Sequence, residues 1–426
     1  MTLSWLQIVR LGFVQMALGA IVVLTTSTLN RIMVVELSLP AILPGLLVGL
    51  HYGIQLTRPN WGFYSDAGGH RTRWIIGGMV ALALGAFLAA VALPVFPQSF
   101  LAGLVLSIIA YALIGLGVGA SGTSMLALLA TTTRPDRRAA AATITWLMMI
   151  FGIAMTAGIV GQLIDPYTPA KLIRIVGSVC AIATLITALA VWGVERKLTA
   201  VREPDPTPFL EGLKEVWGER KARNFTIFVF LSMTAYFMQE LILEPYAGLV
   251  FGFTPGASTS LSGAQNGGVF IGMLTVGIMA TGLKIGALRS WVMTGCLGSA
   301  AALGLIALLG PMGPGAPLTP AVVLLGFFNG MFAVAAIGSM MALAAEGKER
   351  REGTRMGLWG AAQAIAAGFG GLLGAACVDI LRSTLPDSQA FGTVLLGEAL
   401  LFIAATALAA KIMDHKVPSA QLVPGE

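Results

Sequence analysis

Long apolar runs separated by short polar loops limit what this chain can fold into more than any other feature. Runs such as GLGVGASGTSMLALLA and AIATLITALAVWGV contain no charged residue. Hydrophobic residues make up 56% of the chain and charged residues 11%, whereas soluble domains carry about a quarter charged residues. Continuous apolar runs of this kind indicate membrane-spanning helices and exclude an ordinary soluble fold.

The length of the chain predicts about twelve such helices. Each crossing needs about 20 apolar residues, so 426 residues leave room for short loops and one longer linker. The predicted spans are 11–30, 41–57, 74–93, 101–130, 139–164, 172–194, 225–249, 262–282, 291–311, 318–345, 356–380 and 391–411. Cys180, Cys296 and Cys377 fall in separate apolar runs without metal-binding spacing, so neither a disulfide nor a metal site is predicted from them.

The positions of Lys and Arg predict the orientation in the membrane. Every second loop is rich in these residues, as in segments 58–73, 134–138, 196–223 and 348–355. The opposite loops carry only Arg31, Lys171, Arg174 and Arg382. Because basic loops face the cytoplasm, both termini are expected there. The same bias explains the net charge of +6 by contact with anionic headgroups, without nucleic-acid binding.

The two halves of the chain resemble each other at an offset of half its 426 residues. Arg137 and Arg138 align with Arg350 and Arg351, Trp146 with Trp359, Gly161 with Gly374, and Asp165 with Asp379 within one residue. This duplication predicts a six-helix half at 1–194, a cytoplasmic linker at 195–224 and a second six-helix half at 225–426. An all-α membrane protein with two such parallel halves has the architecture of the major facilitator superfamily.

The loop GFYSDAGGHR resembles the facilitator signature between the second and third helices. Gly62, Asp66, Gly69 and Arg71 match this signature. Ala67 stands where an arginine is usual, and His70 replaces the first cation of the basic pair. The aspartate of such a loop can accept hydrogen bonds from a helix N-terminus and pair with a cation. The motif therefore predicts a latch on the cytoplasmic side, with a solvated polar turn as the alternative.

The chain also resembles the PucC/LhaA family, the bacteriochlorophyll-delivery branch of the facilitator superfamily. The shared features are LNRIMVVEL before a proline, the HY pair in the second helix, the RPxxGxxSD loop and the RTRWI start of the third helix. The similarity extends from near residue 1 to about residue 415. It implies a photosynthetic inner-membrane protein that holds bacteriochlorophyll or a late precursor for light-harvesting or reaction-centre assembly. Implied partners are lipid, the pigment, bacteriochlorophyll synthase and the subunits of those complexes.

His51 is the histidine that falls inside a predicted span. A neutral imidazole nitrogen is a good axial ligand for the magnesium of a bacteriochlorophyll, and Tyr52, Gln55 and Trp61 could supply hydrogen bonds or ring contacts. However, His51 also lies near the cytoplasmic end of its span, where it could simply bond a neighbouring helix. Both roles stay open, and no other metal site is expected.

Three acidic residues interrupt the later apolar runs. Glu240 and Glu244 lie one helical turn apart, so both can face one side of the seventh helix as a proton-coupling pair or a cation site. Alternatively, because Glu244 precedes Pro245, it is expected at the extracytoplasmic rim. Glu398 lies deeper, in the last helix.

Three functional classes remain. The first is a non-enzymatic protein that binds and delivers pigment, alone or as an accessory subunit of bacteriochlorophyll synthase. The second is a transporter of a small or lipid-like solute. A polar solute is disfavoured because the first-half spans carry no central Arg, Lys or Asp. Arg31 and Glu36 are expected to pair with each other on the extracytoplasmic surface. The third is prenyl transfer, which needs clustered aspartates to hold magnesium diphosphate. The sequence has no such cluster, so we predict no enzyme.

Overall fold

The computed structural model describes residues 3–57, 71–134, 137–195, 217–283, 285–346 and 352–412, and the regular structure in these ranges is helical. Twelve principal helices follow in chain order. They are α1 Trp5–Glu36, α2 Ile42–Ile54, α3 Arg71–Ala92, α4 Phe100–Thr132, α5 Arg138–Ile164, α6 Pro169–Val191, α7 Arg220–Phe251, α8 Pro255–Val276, α9 Leu288–Leu309, α10 Leu318–Glu346, α11 Glu352–Arg382 and α12 Asp387–Ile412.

Eleven of these helices are long and apolar enough to cross a membrane. The exception is α2, which reaches Thr57 through a short 3₁₀ turn and is shorter than the others. The prediction of a multi-pass, all-α membrane protein is therefore confirmed.

Local chemistry fixes several helix starts. Ser4 accepts a hydrogen bond from the backbone of Gln7, whose side chain bonds back to Ser4, so the pair forms a capping box. Thr168 caps α6, which begins at Pro169, where the missing N–H of proline costs no helical hydrogen bond. Polar residues at these positions satisfy N–H groups that would otherwise be unpaired at the membrane boundary.

Helix α1 departs from regular α-helix in its second half. Leu24–Thr28 and Ile32–Glu36 are π-helical, with the short α-helical stretch Leu29–Arg31 between them. The helix therefore continues past the predicted end at residue 30, and Arg31 and Glu36 belong to it. Single π-helical turns inside α-helices occur frequently at functional sites.

The chain divides into two compact units that do not follow chain order. The first consists of Met1–Pro204, Glu240–Gly263 and Gly371–Asp379. The second consists of Asp205–Gln239, Ala264–Gly370 and Ile380–Glu426. The predicted division into 1–194, 195–224 and 225–426 rests on the sequence repeat and stays a prediction.

The first unit is held by close helix crossings. Helix α3 meets α4 at Gly78 and Gly85, where an added Cβ would stand 2.9 Å from the Gly117 carbonyl oxygen and 2.7 Å from that of Ala110. Backbones approach this closely only when the interface residues are small, and such contacts are the main source of packing energy between helices in lipid.

The second unit has an aromatic core. Trp359 is fully buried, and its ring meets Phe225 edge to face at 4.9 Å. Phe332 of α10 contacts Phe228 and Phe402 in the same geometry, at 6.3 and 6.0 Å. The Ser299 hydroxyl donates to Asn329 Oδ1 at 2.7 Å and satisfies one polar group inside this core.

Candidate functional site

Residues 25–31 of α1 form a run of buried polar side chains in the first unit, which we call the α1 polar segment. Its sequence is TTSTLNR, and every polar member is at most 5% exposed. Burying polar groups away from water costs free energy unless they find partners. The hydrogen-bond partners of these side chains therefore show which contacts offset the cost of burying them.

The hydroxyl groups of the α1 polar segment reach α7 and α8. Ser27 Oγ donates to the Glu244 carboxylate, and the Ser27 and Ser262 hydroxyl oxygens lie 3.0 Å apart. The next residue of α1, Thr28, forms a second hydroxyl pair with Thr259 of α8 at 3.3 Å. Three helices thus meet through side-chain oxygens and one carboxylate.

Glu244 is buried inside the protein, whereas its position at the membrane rim stays a prediction. Its side chain is 3% exposed, and Oε2 has no hydrogen-bond partner among the described residues. Glu240, one turn earlier on α7, is half-buried and lies near the Thr26 side chain. Both acids therefore contact the same segment of α1.

Helix α7 does not end at Pro245 but continues through it to Phe251. Proline removes the N–H that would bond the carbonyl four residues earlier, here Leu241. Asn30 of α1 supplies the missing donor, with Nδ2 2.8 Å from the Leu241 carbonyl oxygen. Neighbouring side chains that restore such bonds are what makes proline tolerable inside a membrane helix.

Arg31 forms the predicted pair with Glu36, but the arginine is not on the surface. Its Nη1 lies 2.5 Å from Glu36 Oε1, and the side chains are 2% and 35% exposed. Nη2 donates to the Phe253 carbonyl at 2.8 Å. Arg31 packs against Gly248 of α7, where an added Cβ would stand 3.1 Å from Nη2. The extension of α1 to Glu36 explains this burial.

Tyr167, in the loop between α5 and α6, responds to the same charges. Burial raises the pKa of its hydroxyl, the Glu36 carboxylate raises that pKa further, and Arg31 lowers it. Tyr167 therefore stays neutral across the physiological range and adds no charge beside the Arg31–Glu36 pair.

The two duplicated acids perform the same task in the first unit. Asp165, at the end of α5, accepts hydrogen bonds from the Thr254 hydroxyl at 2.5 Å and the Gly256 backbone N–H at 3.0 Å, at the start of α8. Asp379 of α11 accepts from the Ala41 and Ile42 backbone N–H groups at 3.0 and 2.7 Å, at the start of α2. Each carboxylate thus caps a helix N-terminus, where negative charge is favoured.

The candidate pigment residues lie at the other end of α2. His51 is 2% exposed, its Nε2 is 2.9 Å from Gln55 Nε2, and its ring meets Tyr52 edge to face at 4.7 Å. At Gly115 of α4, an added Cβ would lie 2.7 Å from the His51 carbonyl oxygen. In this packing it is the Nε2 atom of the imidazole that contacts Gln55. Trp61 lies outside the described residues.

The facilitator loop is described only at its end. Gly62, Asp66 and Gly69 lie outside the described residues. Arg71 is 7% exposed and donates from Nη1 to the Ala127 carbonyl at 3.0 Å. Its backbone N–H and that of Thr72 donate to the Glu195 carboxylate at 2.8 and 3.1 Å, so this acid caps α3. Sequence reasoning assigned Glu195 to the linker and missed this role.

The second unit contains an isolated buried acid and an apolar groove. Glu398 of α12 is fully buried, and neither carboxylate oxygen has a hydrogen-bond partner among the described residues. A groove of about 460 Å³ runs between α8 and α10, lined by Gly268, Ile271, Thr319, Pro320, Val323, Leu324 and Phe327. Its lining is apolar except for one threonine.

Sequence reasoning named the acids of the first unit but missed their hydroxyl and amide partners. Ser27, Asn30 and Ser262 were not singled out. The available signal was the polar run TTSTLNR inside an otherwise apolar span. Hydrocarbon penalises such groups, so a run of them predicts a partner helix even where no charge is present.

Comparisons with known proteins agree on one family and one fold. The PUCC protein family model matches residues 28–417. The bacteriochlorophyll synthase 44.5 kDa chain of Rhodobacter capsulatus is 66% identical, covering 97% of this chain and 96% of that protein. Protein PucC of Cereibacter sphaeroides is 28% identical, covering 91% of this chain and 86% of that protein.

Two solved transporters share the fold of this chain. A bacterial homologue of the human lysosomal transporter Spinster, in an inward-facing, unoccupied conformation, gives a TM-score of 0.72 at 14% identity and covers 96% of this chain and 97% of that chain. The nucleoside transporter NupG gives 0.65 at 17% identity, with 96% and 99% covered. The predicted facilitator fold is confirmed by these likenesses.

Proposed function

The chain belongs to the PucC family, and from that membership we propose that it binds bacteriochlorophyll or a late precursor and delivers it to the proteins that use it. The observation that carries this proposal is the 66% identity, over 97% of the chain, to a protein named as a bacteriochlorophyll synthase chain. Identity at this level along nearly the whole length supports a shared pigment-related role.

We further propose that the role is carriage and not catalysis. Prenyl transfer to the pigment would need aspartates clustered around a magnesium diphosphate, and the sequence contains no such cluster. The synthase name of the relative then fits an accessory subunit that presents or removes pigment. The facilitator fold, shared with transporters, supports movement of a ligand in preference to chemistry on it.

The apolar groove between α8 and α10 supports a ligand that is largely hydrocarbon. Ile271, Val323, Leu324 and Phe327 offer apolar contacts, and Gly268 lets α8 and α10 approach closely, since an added Cβ would clash with the Val323 carbonyl oxygen. A chlorin with a prenyl tail would gain affinity from buried apolar area, at about 25 cal/mol per Å².

Magnesium ligation by His51 remains a prediction about this carrier. The contact with Gln55 and the burial of the imidazole support a packing role in this conformation. Ligation through Nε2 would require the ring to turn away from Gln55.

The proposed location is the photosynthetic inner membrane, with both termini in the cytoplasm. Proposed partners are bacteriochlorophyll synthase, which the name of the relative suggests, and light-harvesting or reaction-centre subunits. Lipid surrounds the apolar helix faces in this proposal.

A transporter of a small or lipid-like solute is the second candidate. The observation in its favour is the pair of acids on α7, buried Glu244 and half-buried Glu240, beside the α1 polar segment, since ionisable groups inside membrane proteins often mark ion or substrate pathways. It differs from the first candidate in needing no pigment.

Deletion of the gene in a bacteriochlorophyll-producing host separates these candidates. Delivery predicts that bacteriochlorophyll is still made while the pigment-containing complexes decline. Support of the synthase predicts less total bacteriochlorophyll and accumulation of the unprenylated precursor. Unchanged pigment and unchanged complexes would contradict both pigment roles and leave the transporter.

A further inference from the structure

The charges around the α1 polar segment do not balance. Arg31 supplies a positive charge, whereas Glu36, Glu240 and Glu244 supply three carboxyl groups among the described residues. Arg31 is matched directly by Glu36 at 2.5 Å. It also acts on Glu244 electrostatically, but one guanidinium cannot neutralise two carboxylates. A buried carboxylate without a matching cation is expensive, so the site must recruit positive charge.

We propose that Glu244, with the hydroxyl oxygens of Ser27 and Ser262, forms a binding site for a monovalent cation, either a proton or Na⁺. Ser27 bonds one carboxylate oxygen of Glu244, and Ser262 lies 3.0 Å from Ser27. The Glu244 side chain is only 3% exposed, yet its other carboxylate oxygen, Oε2, has no hydrogen-bond partner among the described residues. Hard cations prefer oxygen ligands of this kind.

The backbone of α1 gives independent support. Ser27 lies within the π-helical turn Leu24–Thr28, and the second π-helical turn, Ile32–Glu36, follows Arg31. The residues of α1 that contact α7 thus lie within the first π-helical turn, as Ser27 does, or between the two turns, as Asn30 and Arg31 do. π-helical turns disturb regular hydrogen bonding and are retained frequently at functional sites. The π-helical turns of α1 therefore lie beside the carboxyl groups that Arg31 alone does not neutralise.

The surroundings define which groups respond to an added cation. Glu240 lies on the same helix, half-buried and near Thr26. The second half of α1 carries the charged groups Arg31 and Glu36, and α8 contributes the neutral Ser262 and Thr259. Tyr167 is held neutral. Cation binding at Glu244 thus lowers the local negative charge and strengthens the contact among α1, α7 and α8.

The test is the stability of the purified full-length protein as cations are changed. Thermal unfolding is followed while NaCl replaces choline chloride at constant ionic strength, and separately while pH falls through the neutral range in choline chloride. Anything that binds the folded state preferentially stabilises it. Wild-type protein is expected to gain stability with Na⁺ if Na⁺ is the occupant, or only with protons if the occupant is a proton.

Glu244→Gln keeps the shape and can still bond Ser27, so it should fold while losing the cation response. Asp387→Asn, which removes a partly exposed carboxylate paired with Arg382, is the matched control and should respond like wild type.

If Glu244→Gln does not fold, Ser27→Ala retains the carboxylate and should need about tenfold more cation, because a hydrogen bond to a charged group is lost. A wild-type protein that responds to neither cation, or a Glu244→Gln protein that responds like wild type, would overturn the proposal.

Discussion

A single side chain explains how α7 passes through a proline. Asn30 donates to the Leu241 carbonyl at 2.8 Å, which Pro245 leaves without its helical partner. Sequence reasoning treated Pro245 as a mark of the membrane rim. It could not have found the compensation, because Asn30 and Leu241 are separated by 211 positions in the sequence. Only the fold brings the two helices together.

We therefore expect Asn30→Ala to lower the free energy of unfolding by about 1 to 3 kcal/mol, the cost of a buried carbonyl without a donor. Pro245→Ala should restore most of this loss when added to Asn30→Ala, since alanine supplies the backbone N–H. Thermal or denaturant unfolding of the four proteins in detergent gives the coupling between the two sites. Strictly additive effects would show that Asn30 does not serve this carbonyl.

Substitution of Glu398 is expected to have the opposite effect on stability. Its fully buried carboxyl group has no hydrogen-bond partner among the described residues, so replacing it removes a desolvation cost. Glu398→Leu is expected to raise the free energy of unfolding by about 1 to 3 kcal/mol. A loss of stability in the same unfolding assay would instead reveal that Glu398 has a partner that the substitution abolishes.

At the scale of helices, the duplicated acids are the clearest link between sequence and structure. The repeat aligned Asp165 with Asp379 before any geometry was known. The structure shows that they cap the starts of α8 and α2. Their equivalence was predictable from the sequence, but their role was not, because a cap depends on which helix N-terminus the fold brings near.

Loss of either cap should cost a similar amount. Asp165→Ala and Asp379→Ala are each expected to lower the free energy of unfolding by about 0.5 to 2 kcal/mol. Asp387→Ala, which removes a partly exposed ion pair, should cost less. If the Asp387 variant loses as much stability as either of the other two, the capping role of Asp165 and Asp379 is contradicted.

Hydropathy predicts the positions of the membrane helices well but the end of α1 poorly. The apolar runs located the spans, because lipid leaves a polar backbone few alternatives to helix. The end of α1 was placed at residue 30 because Arg31 and Glu36 are charged. In the structure these two residues pair with each other and the helix continues to Glu36. Pairing within the helix reduces the penalty that hydropathy assigns to each charge alone.

For the whole molecule, the twelve-helix facilitator fold followed from composition, the charge bias and the repeat. The two compact units were not predictable in the same way. The first unit includes Glu240–Gly263 and Gly371–Asp379 from the second half of the sequence, and these segments carry Glu244, Ser262 and Asp379. The candidate site depends on contacts between distant segments, which a repeat in one sequence does not specify.

The central claim, that the protein carries pigment, is tested most directly by purifying it from a bacteriochlorophyll-producing host and measuring its absorption spectrum and extractable pigment. The account predicts bacteriochlorophyll or a late precursor in stoichiometric amount. A red absorption band that is shifted or lost in His51→Ala, but kept in Gln55→Ala, would identify His51 as the magnesium ligand, whereas an unchanged band would assign it to packing. A well-folded but colourless wild-type protein would contradict stable pigment binding.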